Sequence, residues 1–204
     1  LDDLLDETGV LKSNLIKIQE HSNSTTRILK DMQRLLKEKS RDFLETDLNT
    51  FLDSKARSAL QEVKAHYKDF AVDLQLNLEN KPIKIRLLPY EFGQVVQNMI
   101  SNSYYALYEK SKSNTAFTPT INMTTQTGSG HVYVRFRDNG KGIPSREVEK
   151  IFSPFFTTKP TSEGTGLGLF MVKDIIETHK GKIEINSKEG EFTEILITLP
   201  TLSD

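Results

Sequence analysis

Four short stretches hold residues whose types and spacing are suited to chemistry. Asn98, Asn102, Tyr105 and Glu109 fall four, three and four residues apart, so they share one face of a helix. An amide oxygen on such a face is a suitable ligand for a hard divalent cation, although paired asparagines are equally at home on a solvated helix. Asp138-Asn139-Gly140-Lys141-Gly142-Ile143-Pro144 follows an alternating apolar stretch. Asp-Asn-Gly is a common tight turn with glycine at positive φ. A carboxylate at a strand end can also accept a hydrogen bond from an exocyclic amine, while the glycines let a flat base approach the backbone. Ile151-Phe152-Ser153-Pro154-Phe155-Phe156-Thr157-Thr158-Lys159 sets three phenylalanines around a proline, the composition of a core segment or a lid anchor. Gly164-Thr165-Gly166-Leu167-Gly168-Leu169 leads into a helix. A glycine-rich loop at a helix start presents backbone N–H groups and a positive dipole end, which suits phosphate. It is not the Gly-x4-Gly-Lys of a P-loop, nor does it follow a strand as a dinucleotide fingerprint does.

These stretches need elements to hold them. Pro89 precedes an expected helix from about Tyr90 to Lys110, with Val95, Val96, Met99, Ile100, Ala106 and Leu107 on its apolar face. Asp47-Leu48-Asn49 opens another helix running to about His66, with Asp47 as its cap. Val72, Leu74, Leu76 and Leu78 alternate with polar residues, as do Ile83, Ile85 and Leu87, and read as a strand pair joined near Asn80-Lys81-Pro82. Ile121-Met123-Thr125 and Val132-Val134-Phe136 read as a hairpin through Gly128-Ser129-Gly130. A helix near Leu167–Thr178 and strands at Lys182–Asn186 and Glu194–Leu199 complete the chain. Blocks of helices and mostly antiparallel strands predict an α+β fold, a two-layer sandwich.

The first quarter is different. Leu15, Ile18, Ser22, Thr25, Leu29, Met32 and Leu36 alternate three and four apart without proline or glycine, with His21, Ile28 and Leu35 beside them. That heptad stripe predicts a long helix that buries itself against other helices, preferably between molecules.

The 204 residues suffice for one or two domains, and 36% hydrophobic content supports a packed core. A net charge of -1 disfavours broad attraction to nucleic acid or an anionic membrane. Without cysteine there is no disulfide framework, thiolate metal site or cysteine nucleophile, and the four scattered histidines lack metal-ligand spacing. No stretch approaches the roughly 18 apolar residues of a membrane span, and the start does not read as a signal peptide. A cytoplasmic setting is expected.

In order, the asparagine helix, strand-Asp-x-Gly-x-Gly, phenylalanine segment and Gly-x-Gly-x-Gly resemble the N, G1, F and G2 boxes of the GHKL (Bergerat-fold) ATPase and kinase superfamily. Phe-Ser-Pro-Phe-Phe-Thr-Thr-Lys resembles sensor histidine kinases in particular, and the likeness runs from about residue 47 to 200. It implies Mg-ATP as cofactor. Asn102 would hold Mg²⁺ with Asn98 in the neighbouring polar shell, Asp138 would accept the adenine amino group and Gly142 would give the base room. Lys159 would reach the phosphates, and Gly164, Gly166 and Gly168 would cradle them. The implied catalytic residues are Asn98, Asn102 and Lys159. The implied nucleotide contacts are Asn102, Tyr105, Asp138, Gly140, Gly142, Ile143, Thr158, Lys159, Gly164, Thr165, Gly166, Leu167 and Gly168.

The family's departures and rivals bear on what the chain does. Many histidine kinases have a basic residue where Tyr105 stands, so one phosphate contact is missing or replaced. Lys180 and Phe192 stand where glycines are common. The superfamily's hydrolases usually carry a glutamate where this chain has Asn98, and an amide cannot act as a general base. The third possibility is a nucleotide-binding regulatory module that has lost catalysis, or an anti-sigma-type serine kinase, and the N-terminal helix weighs against the latter. The N-terminal helix resembles the second helix of a histidine kinase dimerisation domain. Residues 1–45 are accordingly expected to be the end of that domain, with Leu1–Thr8 the tail of its first helix, and residues 46–204 the catalytic and ATP-binding domain. His21 lacks the acidic residue that usually follows a phosphoaccepting histidine and reads as structural. The acceptor then lies upstream, and the expected partners are a second copy of the chain and a response regulator receiver domain.

Overall fold

Apolar residues at helical spacing, and then at strand spacing, build one face each of two layers. The computed structural model describes residues 12, 14–19, 22, 25, 26, 28, 29, 42–67, 70–114, 116–160 and 164–202. The chain divides into two compact units, Lys39–Lys150 with Met171–Asp204, and Leu1–Glu38 with Ile151–Phe170. In order, the elements are β1 (Leu44–Asp47), α1 (Leu48–Lys64), β2 (Asp73–Asn77), β3 (Lys84–Leu87), α2 (Pro89–Ser111), β4 (Thr120–Gly128), β5 (His131–Asp138), α3 (Ser145–Val148), α4 (Gly168–Thr178), β6 (Lys182–Lys188) and β7 (Phe192–Pro200).

Five strands form one sheet in the order β2-β4-β5-β7-β6, with β2 parallel to β4 and the other pairs antiparallel. Its inner face is Ile121, Met123, Val132, Val134, Phe136, Ile195, Ile197 and Leu199, all buried. Leu48, Leu52, Ala56, Leu60 and Val63 on α1, and Val95, Val96, Met99, Ile100, Tyr104 and Leu107 on α2, supply the helical side of the core. The α+β two-layer expectation therefore holds, and α2 starts with proline at its first turn as the sequence suggests. The β4–β5 hairpin also forms where expected. Gly128 pairs with His131, leaving Ser129 (φ 53°) and Gly130 (φ 75°) as a two-residue turn with both centres left-handed.

The expected β2–β3 hairpin does not form. β2 pairs with β4, while β3 pairs with β1 in a separate two-stranded antiparallel sheet. The connecting loop is captured by other elements instead. Asn49 Nδ2 donates to the carbonyls of Glu79 (2.7 Å) and Lys81 (3.0 Å), and the Glu79 N–H donates to Thr125 Oγ1 (2.9 Å). Pro82 has no N–H to offer a hairpin ladder. Asp47 occupies the N-cap position of α1, and its carboxylate accepts from the Thr50 hydroxyl at 2.5 Å and the Ile83 N–H at 3.1 Å. Burial pushes this carboxyl up, but those two hydrogen bonds and further ones from the Asn49 and Thr50 backbones together hold it below the usual range. β1 was not anticipated, and it straddles the expected boundary at residue 45.

Of the N-terminal stripe, Leu15, Ile18, Ser22, Thr25 and Leu29 are helical, and Leu15 and Ile18 are more than 60% exposed (63% and 64%). His21, Met32, Leu35, Leu36 and Leu1–Thr8 lie outside the described residues. No helix among the described residues is long and apolar enough to cross a membrane.

The end of α4 explains one departure from the glycine pattern. The Lys180 N–H donates to Glu177 O (2.9 Å) and the Gly181 N–H to Ile176 O (2.9 Å), a Schellman cap whose left-handed position is Lys180 at φ 57°. A lysine there pays steric strain that a glycine avoids. Just before it, buried His179 accepts from the Leu88 N–H at 3.0 Å through Nε2 and faces Ile175 O at 2.7 Å through Nδ1, tying the end of α4 to the start of α2. Lys180→Gly is expected to stabilise the fold by roughly 0.5–1 kcal/mol, raising the melting temperature by about 1–4 °C in a calorimetric scan. A lowered melting temperature would show that the lysine side chain makes a compensating contact.

Candidate functional site: a buried carboxylate at a glycine turn

The sheet's central strand β5 ends on Asp138, whose side chain turns inward with Val132, Val134 and Phe136 and is 4% exposed. A carboxylate in such a place must be hydrogen-bonded. Oδ1 accepts the Gly140 N–H at 2.9 Å, and Oδ2 accepts the hydroxyl of Ser103, on α2, at 2.9 Å. Burial pushes the carboxyl up to about 6. Gly140, Ser103, a backbone bond from Thr193 and the charge of Lys110 all pull the other way without cancelling it. The group remains mostly ionised at neutral pH. Its folded value lies above its unfolded one, so its contribution to stability is full below about pH 4 and is lost as pH rises to about 6. Asp47, held below its usual value, has the opposite sign and loses its contribution as pH falls.

Two glycines fix the turn after Asp138. A Cβ on Gly140 would lie 2.8 Å from Asp138 Oδ1 and from Ala106, so only glycine lets the turn pack this closely between the carboxylate and α2. Gly142 has φ 65°, and a Cβ there would sit 2.1 Å from the Lys188 carbonyl. The observed need for Gly142 is thus close approach to the β6–β7 hairpin. The Lys141 N–H donates to Ala106 O (3.2 Å), the Gly190 N–H to Lys141 O (2.7 Å), and the Ile143 N–H to Ser187 Oγ (2.9 Å). The turn is therefore held between α2 and that hairpin.

Helix α2 supplies the other predicted residues of this unit. Asn98 and Asn102 are half-buried, and Asn98 Nδ2 donates to Gln94 O at 2.9 Å. Tyr105 is buried, with Lys141 Nζ 5.2 Å from its ring centroid. Glu109 forms a surface ion pair with Lys112 at 2.5 Å. Among the described residues, no group of three or more His, Cys, Asp or Glu could hold a metal ion. A divalent cation near these asparagines would therefore draw most of its ligands from a phosphorylated nucleotide and water.

The remaining predicted residues lie in the unit containing Ile151–Phe170. Exposed Phe155 adopts φ 64°, a strained conformation for a bulky residue, and Gly166 (φ 70°) approaches it so closely that a Cβ would lie 2.3 Å from the Phe155 carbonyl carbon. Lys159 donates its N–H to Thr157 Oγ1 at 3.1 Å, beside exposed Thr158. The Gly164 N–H bonds Pro160 O at 3.0 Å and the Leu167 N–H reaches Thr165 Oγ1 at 3.4 Å, immediately before Gly168 opens α4. The phenylalanine and glycine boxes are thus built against one another.

The sequence reading missed Ser103, Lys110 and Thr193 around Asp138. Ser103 directly follows Asn102 and was hidden because a serine beside an asparagine on a helix has no distinctive spacing. Only the α2–β5 packing reveals its partner.

A family profile described as "Histidine kinase-, DNA gyrase B-, and HSP90-like ATPase" matches residues 89–203. The chain is 28% identical over 181 residues to the sensor histidine kinase ZraS of Escherichia coli K12, covering 89% of this chain and 36% of ZraS. It is 36% identical over 132 residues to the sensor protein kinase WalK of Staphylococcus aureus, covering 61% of this chain and 29% of WalK. The chain thus spans about a third of the length of these relatives. The nucleotide-free catalytic domain of the histidine kinase ThkA superposes with a TM-score of 0.61 at 28% identity, covering 78% of this chain and 95% of that one. Full-length ShkA in complex with AMPPNP gives 0.70 at 18% identity, covering 94% and 38%, a likeness of fold. The chain belongs to the histidine kinase-, DNA gyrase B- and HSP90-like ATPase family and carries the catalytic domain of the sensor histidine kinases.

Proposed function

We propose that this chain binds Mg-ATP and directs its γ-phosphate to a histidine on a dimerisation helix lying outside these residues, for relay to the receiver domain of a response regulator. The observation that carries the reading is Asp138: a buried acceptor at a strand end, with a turn that only glycine can form packed against it. A carboxylate so placed reads an exocyclic amine and repels a carbonyl, which selects adenine over a 6-oxo purine. Asn102 would ligate the Mg²⁺, supported by Asn98. Lys159 would pair with the phosphates, and the backbone of Gly164, Gly166 and Gly168 would lie along them. Tyr105, Ile143, Thr158, Thr165 and Leu167 would line the nucleotide.

When bound, Mg-ATP supplies the transferable phosphoryl group and the divalent charge that neutralises it. The chain's own part is positioning and electrostatics. Asn98 offers no base to activate water, which supports transfer over hydrolysis. Residues 1–45 would be the end of the dimerisation domain and residues 46–204 the catalytic domain, with β1 as the join. The exposed Leu15, Ile18 and Leu29 support a homodimer through that helix. The setting would be the cytoplasm.

With Mg-ATP labelled on its γ-phosphate, the purified chain is expected to bind nucleotide while the label stays on it. Label on the protein that vanishes in His21→Ala would relocate the acceptor, and rapid release of free phosphate would favour the hydrolase. Calorimetric titration with ADP tests the base contact: Asp138→Asn is expected to weaken binding at least about tenfold, and an unchanged affinity would remove Asp138 from the base site. ADP affinity should also fall as pH drops through about 6, where the acceptor is protonated. Ser103→Ala, which strips a hydrogen bond from the charged form, should move that midpoint upward. Because the ligand's own titration is common to both proteins, coincident profiles would mean that Ser103 does not act on Asp138.

A further inference from the structure

We propose that Lys110 is the positioning residue of the nucleotide turn: its ammonium, in the last turn of α2, fixes the peptide that holds Asp138 in place. The proposal rests on the nucleotide reading above and adds a residue that neither the sequence boxes nor the family likeness singles out. Lys110 Nζ donates to the Asn139 carbonyl at 2.7 Å and reaches the Glu191 carbonyl at 3.5 Å. Its ammonium lies 5.0 Å from the Phe117 ring centroid. The Asn139 C=O and the Gly140 N–H are opposite ends of one rigid peptide plane. Lys110 grips the first end, and Asp138 Oδ1 accepts from the second at 2.9 Å. Rotation of that plane would break both bonds at once, so a cation on the carbonyl determines where the donor points. The same cation polarises the peptide and strengthens its N–H as a donor.

The rest of the turn is arranged around this grip. The Asn139 side chain accepts the Thr120 N–H (2.9 Å) and donates to Thr118 O (2.9 Å), which pins the turn to the start of β4. The Glu191 contact brings in the β6–β7 hairpin, whose Gly190 N–H already holds Lys141 O at 2.7 Å. Lys110 thus joins α2, the turn and that hairpin at one point. The groups acting on the Asp138 carboxylate are Ser103 from α2, Gly140 from the turn and Thr193 from β7, and Lys110 supplies the charge. Two residues on, Lys112 is otherwise engaged, with Glu109 at 2.5 Å and the Tyr108 ring at 4.8 Å.

The test measures ADP affinity of the whole chain by calorimetry across a pH series, in wild type, Lys110→Met, Lys110→Arg and Lys112→Met. Lys110→Met, which keeps the stem and loses the ammonium, should bind about tenfold more weakly at neutral pH and lose affinity from a higher pH midpoint on acidification. Lys110→Arg should stay within about threefold of wild type, since it restores both charge and donors. Lys112→Met should match wild type. Should Lys110→Met fail to fold by circular dichroism, Lys110→Gln keeps a donor without the charge, and its midpoint should still rise. Affinity within about twofold of wild type and an unshifted pH profile in the Met or Gln variant would overturn the proposal, as would an equal loss in Lys112→Met. If wild type itself binds no ADP, the nucleotide reading fails and the proposal with it, an outcome distinct from a Lys110 variant that behaves as wild type.

Discussion

One buried carboxylate constrains the rest of this structure. Asp138 is 4% exposed at the end of the central strand, and burial makes its charge costly enough to push it up to about 6. The fold offsets that cost with donors from three elements. Ser103 requires α2 to pass directly over the strand end, Gly140 requires the chain to turn at once, and Thr193 requires β7 beside β5. A protein selected for stability alone would place an apolar side chain there, as it does at Val132, Val134 and Phe136. The strained left-handed Phe155 against Gly166 is a second local expense, and it falls in another segment that the family likeness assigns to nucleotide.

Much of the architecture was legible because it is local. Pro89 and the apolar period after it specify α2, and Gly128-Ser129-Gly130 between two alternating runs specifies the β4–β5 hairpin with its left-handed turn. The four boxes were legible because their order and composition are restrictive together, although each alone has an ordinary structural reading.

What the sequence concealed is long-range. β2 and β3 have hairpin spacing, yet each pairs elsewhere, because Asn49 and Thr125 capture the loop between them from 30 or more residues away. β1 carries no clear alternation, and its strand is defined by antiparallel pairing with β3, about 40 residues on. Ser103 and Lys110 are ordinary helix residues until α2 is laid on the turn after β5, which couples positions 35 and 29 residues apart. Lys180 shows the converse: it departs from the expected glycine, but the left-handed position is kept and the helix still ends there.

The central claim is that Asp138 accepts from the exocyclic amine of a purine. Its most direct test is a calorimetric comparison of ADP with IDP, which presents a carbonyl where ADP presents the amine. The account predicts that IDP binds at least about tenfold more weakly than ADP at neutral pH, because two acceptors would then face each other in a buried site. Equal affinities for the two nucleotides would contradict it.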